Sequence, residues 1–318
     1  MLKRSRRKKP RLRFVYFTAV LVLLAAIGAG IVLGNQPVKK QQASHPTVKE
    51  SSTVELETEQ SPDIPARPKP VAWLQNAGQP NKLPILMYHN VCPDPKDNNA
   101  MSPETFEAGL QEMQAEGYYS VNAQEALRIL TTNQKPSNKL VWLTFDDGNE
   151  CLYQYVFPLL KKYHIHATAA IITGHVGQPG IVSEAQIKEM AASGFVDFVS
   201  HTVDHLDLAT LSHAEQTREL EESKAWLDNT LHQNTNILIY PSGSHNAETK
   251  QVAQQLGYKM GLIRGNGIAA AGDNLFETIR IRMITTAGGL AVKLNLEPTA
   301  NYNTANTNKK KVMTSEPG

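Results

Sequence analysis

Four polar clusters in this sequence each follow a short apolar run. They are His89 after Ile-Leu-Met-Tyr, Asp146-Asp147-Gly148 after Leu-Val-Trp-Leu-Thr-Phe, His201 and His205 after Asp-Phe-Val-Ser, and Pro241-Ser242-Gly243 after Asn-Ile-Leu-Ile-Tyr. Adjacent carboxylates leaving a strand point in different directions, so one can bind a cation while the other faces solvent or substrate. Taken alone, Asp-Gly is also a common turn. Imidazoles four residues apart share one face of a helical turn and can chelate a single ion. One Asp and two His leave a fourth position open, the arrangement of catalytic zinc, in which bound water reaches a pKa near ~7. A second carboxylate beside it can take the proton as general base, and a further His can protonate a leaving amine. These parts suit metal-assisted hydrolysis of an amide.

The elements that must position these residues alternate regularly. Strands are expected at 84–88, 118–121, 140–145, 166–172, 196–200, 237–240, 258–263 and 279–283, with amphipathic stretches between them. Ser102 before Pro103 suits an N-cap with proline at the first helical position. Ser183 with Gln186 and Ser212 with Glu215 read as capping boxes, and Asn122 and Asn246 as caps of two more helices. Gly117 and Gly194 stand where helices end. Strict β-α alternation implies a parallel sheet with helical crossovers, and seven or eight units favour a closed (β/α) barrel over an open doubly wound sheet. All four polar clusters then fall at C-terminal strand ends, the rim on which such barrels build their sites. No G-x-G-x-x-G or P-loop follows a strand, which disfavours a nucleotide enzyme.

Charge divides the 318 residues unevenly. The net charge is +2, from 32 Lys and Arg against 30 Asp and Glu, but residues 1–13 hold eight basic side chains and no acid. Setting those eight aside leaves 24 basic against 30 acidic groups, a net of −6. An acidic body argues against a nucleic-acid partner. Residues 14–33 carry no charge. As a helix they span roughly 30 Å, the thickness of a bilayer core, and the basic block 1–13 would hold the N-terminal side in the cytoplasm. The expectation is an uncleaved single-pass anchor in the cell membrane, with everything beyond it extracytoplasmic. A cleaved signal peptide is the weaker reading, because the apolar run is long and no clear cleavage site comes after it. Residues 34–83 read as a Pro-rich linker, 84–298 as one folded domain and 299–318 as a polar tail. Cys92 and Cys151 are the two cysteines. An exported protein can pair them, and two unpaired buried cysteines fit the sequence equally well.

Thr144-Phe145-Asp146-Asp147-Gly148 and Ser200-His201-Thr202-x-x-His205 resemble the first two motifs of the polysaccharide deacetylases, the NodB-homology family or carbohydrate esterase family 4. The resemblance extends over about 84–298 and implies a distorted (β/α) barrel. It also implies metal-dependent removal of N-acetyl groups from N-acetylglucosamine polymers. Carried over by position, Asp146 becomes the catalytic base, and Asp147, His201 and His205 the ligands of Zn²⁺, or of Co²⁺, Mn²⁺ or Ni²⁺.

Two departures accompany the match. The family's R-x-P-Y-G motif reads Ile239-Tyr240-Pro241-Ser242-Gly243 here. The arginine that orients the base is therefore missing, and Ser242 replaces Tyr while its backbone N–H can still serve as the oxyanion contact. The late histidine motif is also absent, since no histidine follows His245. The early Pro84-Ile-Leu-Met-Tyr-His89-Asn90 instead resembles the permuted subgroup that deacetylates poly-N-acetylglucosamine. That makes His89 the expected general acid, with His245 as runner-up, and Arg280 or Arg282 the replacement for the missing arginine. Peptidoglycan, chitooligosaccharides and a tethered glycan-binding domain without turnover are the competing expectations.

Overall fold

The computed structural model describes residues 72–76, 78–95 and 99–283. The expected basic segment, membrane anchor and polar tail, and most of the linker, lie outside the described residues. Among the described residues no helix is long and apolar enough to cross a membrane.

Eight strands form the main sheet: β1 (Ile85–Tyr88), β2 (Tyr119–Ser120), β3 (Leu140–Phe145), β4 (Ala167–Ile171), β5 (Val196–Ser200), β6 (Ile237–Ile239), β7 (Met260–Leu262) and β8 (Ile281–Arg282). Their order is β7-β6-β5-β4-β3-β1-β8, with β2 beside the first half of β3, and every pairing is parallel. Each corresponds to one of the expected runs. Helices α1 (Pro103–Ala115), α2 (Ala123–Thr132), α3 (Phe157–Tyr163), α4 (Glu184–Ala192), α5 (His213–Leu231) and α6 (Ala247–Gln255) make the crossovers. Their starts obey local chemistry. Ser102 accepts from the Thr105 N–H ahead of Pro103, and Asn122, Ser183, Ser212 and Asn246 all form capping boxes. Gly117 and Gly194 follow α1 and α4 with left-handed φ of 70° and 75°.

The last segment draws the two ends of the sheet together. The Thr278 N–H donates to the Gly261 carbonyl in β7, and the Met283 N–H donates to Met87 in β1. The result is a curled parallel sheet, consistent with a distorted (β/α) barrel.

Every residue of β3 is buried, as a parallel strand covered on both faces requires. Its alternation separates two cores. Val141, Leu143 and Phe145 pack outward with Phe106 and Leu110 of α1, Leu160 of α3 and Ile187 of α4. Trp142 faces inward with Ile85, Ala170, Val199, Ile237 and Ile239, and α2 adds Ala126, Ile129 and Leu130 to that cluster. Each fully buried aliphatic side chain contributes about 1.5–3 kcal/mol. Thr144 continues the inward set above Trp142, and Asp146 is next on the same side of the chain.

The expected linker boundary at residue 83 falls inside the fold. Leu74–Gln75 pairs antiparallel with Gln134–Lys135, and Lys82–Leu83 with Ala269–Ala270. The Arg128 guanidinium lies 4.0 Å over the Trp73 ring. Local composition conceals this, because the pairing partners are distant in sequence. Cys92 and Cys151 form a disulfide that closes a 59-residue separation.

Candidate active site and metal centre

Because the strands are parallel, their C-terminal ends share one rim. Met87, His89, Asp146, Asp147, His201, His205, Ser242, Gly243 and Arg280 surround a single cavity of about 180 Å³ there, with Asn99, Tyr240 and Arg264 completing its wall. All six residues expected to carry chemistry line it.

Asp146 lies at the inner end of the site, 4 % exposed, and forms a two-pronged ion pair with Arg280. Arg280 Nη1 donates to Oδ1 at 2.7 Å and Nη2 to Oδ2 at 2.8 Å. The guanidinium is itself fixed, by Nη1 to Thr144 Oγ1 at 3.1 Å and Nε to the Ile263 carbonyl at 3.2 Å. Of the two arginines expected to replace the missing motif arginine, Arg280 is the one bonded to Asp146. Arg282, the other candidate, is instead bonded to Asn99. Burial would raise the Asp146 pKa, but the charge and hydrogen bonds of Arg280, with smaller contributions from His201 and His89, bring it down to about 2. His89 Nε2 is 4.0 Å from Asp146 Oδ2. His245, the runner-up acid, is not among the cavity residues. It stacks on Tyr240 at 4.7 Å, bonds to the Gly243 carbonyl and lies 3.5 Å from Glu277.

Asp147 has a left-handed φ of 74°, which turns its carboxylate away from that of Asp146 and toward two imidazoles. Its Oδ1 is 3.5 Å from His201 Nε2 and 3.8 Å from His205 Nε2. One donor atom from each of the three residues lies within 4.8 Å of the others. His201 Nδ1 is 2.7 Å from the Ile239 carbonyl. A carbonyl only accepts, so Nδ1 carries the proton and Nε2 presents its lone pair to the cluster, as a metal-binding histidine requires. Burial lowers the pKa of His205, assisted by the neighbouring His201, and so favours the neutral, ligating form. Burial raises the Asp147 pKa, but the adjacent His201 imidazole, 3.5 Å away, outweighs it and holds the carboxyl below its usual range. One carboxylate and two imidazoles fit a catalytic zinc site, and the same donors suit cobalt, manganese or nickel.

The histidine spacing works differently from the expected helical turn. Residues 201–205 form a tight loop, with Thr202 and His205 at φ of 67° and 56°. The imidazoles meet edge to face, their centroids 4.8 Å apart. Ser242 also sits at left-handed φ, 54°, and the Gly243 beside it is required: a Cβ there would meet the Arg264 backbone N at 2.9 Å. Such non-glycine outliers persist where the surroundings over-determine them, and they collect at functional sites. Sequence reasoning did not single out Asn99 or Arg264. Arg264 follows β7 by two residues, so the rule that found the other clusters also reaches it.

Comparison with known proteins agrees with this geometry. Residues 133–261 match the family model described as "Polysaccharide deacetylase". A "Putative polysaccharide deacetylase YxkH" of Bacillus subtilis is 34% identical over 89% of this chain and 96% of its own length. A "Poly-beta-1,6-N-acetyl-D-glucosamine N-deacetylase" of Staphylococcus aureus is 29% identical over 52% of this chain, which spans 61% of that relative. Among solved structures, the Streptococcus pyogenes deacetylase PplD in complex with acetate is 37% identical, with a TM-score of 0.63 over 75% of this chain and 100% of its own. IcaB from Ammonifex degensii is 29% identical, with a TM-score of 0.58 over 68% of this chain and 94% of its own. With a relative this similar matched along nearly its whole length, the chain belongs to the polysaccharide deacetylase family.

Proposed function

We propose that this protein is a metal-dependent hydrolase that removes N-acetyl groups from N-acetylglucosamine-containing cell-surface polysaccharide, with poly-β-1,6-N-acetylglucosamine the favoured polymer. The observation that carries the reading is the meeting of two sets in one cavity: Asp146 with Arg280 and His89, and Asp147 with His201 and His205. The favoured polymer rests on the name of the S. aureus relative. The acetate held by the PplD structure is the acid that N-deacetylation releases. The small cavity supports a substituent as its occupant, since pockets enclosing a whole small ligand run roughly 300–1,000 Å³.

Asp147, His201 and His205 would hold the divalent ion, zinc by preference. When bound it supplies Lewis acidity and lowers the pKa of water. Asp146 is kept ionised by Arg280 and accepts the proton of the attacking water. The backbone N–H of Ser242 donates to the oxygen that gains charge as the carbonyl carbon becomes tetrahedral. His89 delivers a proton to the departing nitrogen, so amide and water leave as acetate and a free amine. Asp146 and His89 act on opposite proton transfers, and Arg280 keeps the first of them from holding its proton at neutral pH.

The Cys92–Cys151 disulfide supports an oxidising location for the domain. The basic block 1–13 ahead of the uncharged 14–33 supports a membrane-anchored, outward-facing chain.

The test is acetate and primary-amine release, measured in parallel on poly-N-acetylglucosamine, chitooligosaccharides and peptidoglycan with zinc, cobalt, manganese or nickel supplied. Asp146→Asn is expected to lose about 10²–10⁴ of the turnover while keeping its metal. Binding of glycan without acetate release under every metal would make the chain a tethered glycan-binding domain. Release from peptidoglycan alone would transfer the activity to that polymer.

A further inference from the structure

Glu219 of α5 is fully buried, and it is not among the residues around the cavity. Its Oε2 accepts the backbone N–H of Val203 at 3.0 Å and of Asp204 at 2.8 Å. These are two of the three residues between His201 and His205. Its Oε1 pairs with Arg218 Nη2 at 2.5 Å, and the same nitrogen donates to Asp204 Oδ2 at 2.8 Å. From the opposite side, the Thr173 and Gly174 N–H groups donate to the Thr202 and Val203 carbonyls at 3.0 and 2.9 Å. The loop is thus held by its N–H groups from α5 and by its carbonyls from the turn after β4.

A buried carboxylate is costly, and its removal from water is offset only by well-placed donors and charge. Here those donors belong to a loop whose ends, Thr202 and His205, are in left-handed conformations. Such conformations persist only where the surroundings impose them. We propose that Glu219 is a positioning residue for the metal ligands: by fixing the backbone of residues 203 and 204 it sets the angle at which His201 and His205 converge, and hence the affinity of the site for its ion. The inference rests on Asp147, His201 and His205 being the metal site. Groups that orient metal ligands from behind are typically worth about 10–100-fold in affinity.

The experiment is a zinc titration of the full chain against a competing chelator, with the thermal melt of the metal-free protein recorded for each variant. Glu219→Gln is expected to weaken zinc binding by about 10–100-fold. Gly174→Ala approaches the loop from the other side, because its new Cβ would lie 2.7 Å from the Val203 carbonyl oxygen, and it too is expected to weaken binding. Gln216→Leu is the control. Gln216 is equally buried on α5 but bonds to the Leu211 carbonyl, outside the loop, so its zinc affinity is expected to stay within about twofold of the parent on that physical ground. Wild-type affinity in Glu219→Gln, alongside loss of zinc in His201→Ala, would overturn the role of Glu219. Zinc retained in His201→Ala would instead overturn the metal site itself. If metal-free Glu219→Gln does not fold, Gly174→Ala decides: a folded variant with weakened binding supports the clamp, and one with unchanged binding refutes it.

Discussion

Asp146 is a buried carboxylate whose ordinary fate would be to hold its proton. Burial raises its pKa, and only the Arg280 fork, with help from His201 and His89, reverses the sign and takes it to about 2. The sign fixes a pH prediction. A base must be ionised before it can accept a proton, so activity is present above the Asp146 pKa and lost below it. Arg280→Met removes the largest favourable contribution and leaves the desolvation, so the acidic limb of kcat/KM should move upward. Arg280→Lys keeps a charge but not the two parallel bonds, and should fall between the two. A pH–rate series on the three proteins checks this, and an unmoved acidic limb in Arg280→Met would remove Arg280 from the mechanism. On the stability side, leaving Asp146 buried without its partner should cost about 3–5 kcal/mol, read from denaturant melts at neutral pH. At the other proton transfer, His89→Ala should lower kcat by about 10²–10⁴ with metal content intact, while His245→Ala should leave kcat near the parent value. His245 is occupied by Tyr240, Gly243 and Glu277 outside the cavity, so the reverse ranking would exchange the two assignments.

At the scale of elements, the sequence discloses the features written locally. Strand runs, caps such as Asn122 and Ser212, and the polar clusters after four of the strands all depend on neighbours within a few residues, and the structure places them where that chemistry predicts. Features that depend on distant pairing stay hidden. Thr144 and Asp146 reveal the inward side of β3, and the missing motif arginine points to Arg280 or Arg282, but only the fold shows that Arg280 is the one that returns across the sheet to meet them. Glu219 reads as one more acid on a charged helix until its burial is seen. The histidine spacing suggests a helix because loop strain has no sequence signature at Thr202 or His205. Pairing of Cys92 with Cys151 is likewise a tertiary fact, and it has a mechanical meaning. Cys92 lies three residues after His89 and Cys151 four after Asp147, so the bond joins the segments that carry the proposed proton donor and a proposed metal ligand. The double variant Cys92→Ser with Cys151→Ser should lose about 2–4 kcal/mol of stability. Its kcat should fall more than its zinc affinity, because His201 and His205, two of the three proposed ligands, lie on a loop the bond does not touch, whereas His89 stands three residues from Cys92. Equal losses in both would show the disulfide acting on the fold alone.

At the scale of the whole molecule, charge is distributed in a way that a folded domain alone does not explain. Eight basic residues precede an uncharged run, and the remaining chain is net negative. That order is the one that holds an N-terminus in the cytoplasm and exports the rest of the chain. The Cys92–Cys151 disulfide favours an oxidising compartment on independent grounds, since thiols in a reducing cytosol mostly stay reduced. Both observations motivate the proposal that the domain faces outward. The full chain expressed in a bacterial host is therefore expected in the membrane fraction after alkaline washing. Cys92 and Cys151 should resist alkylation until a reductant is added, and protease applied to intact cells should digest the domain. A chain recovered in the soluble cytosol with both thiols free would refute the outward placement while leaving the chemistry of the cavity untouched. The two properties separate in this test because the cavity is built from strand ends within the domain, whereas the proposed anchor lies in residues 1–33.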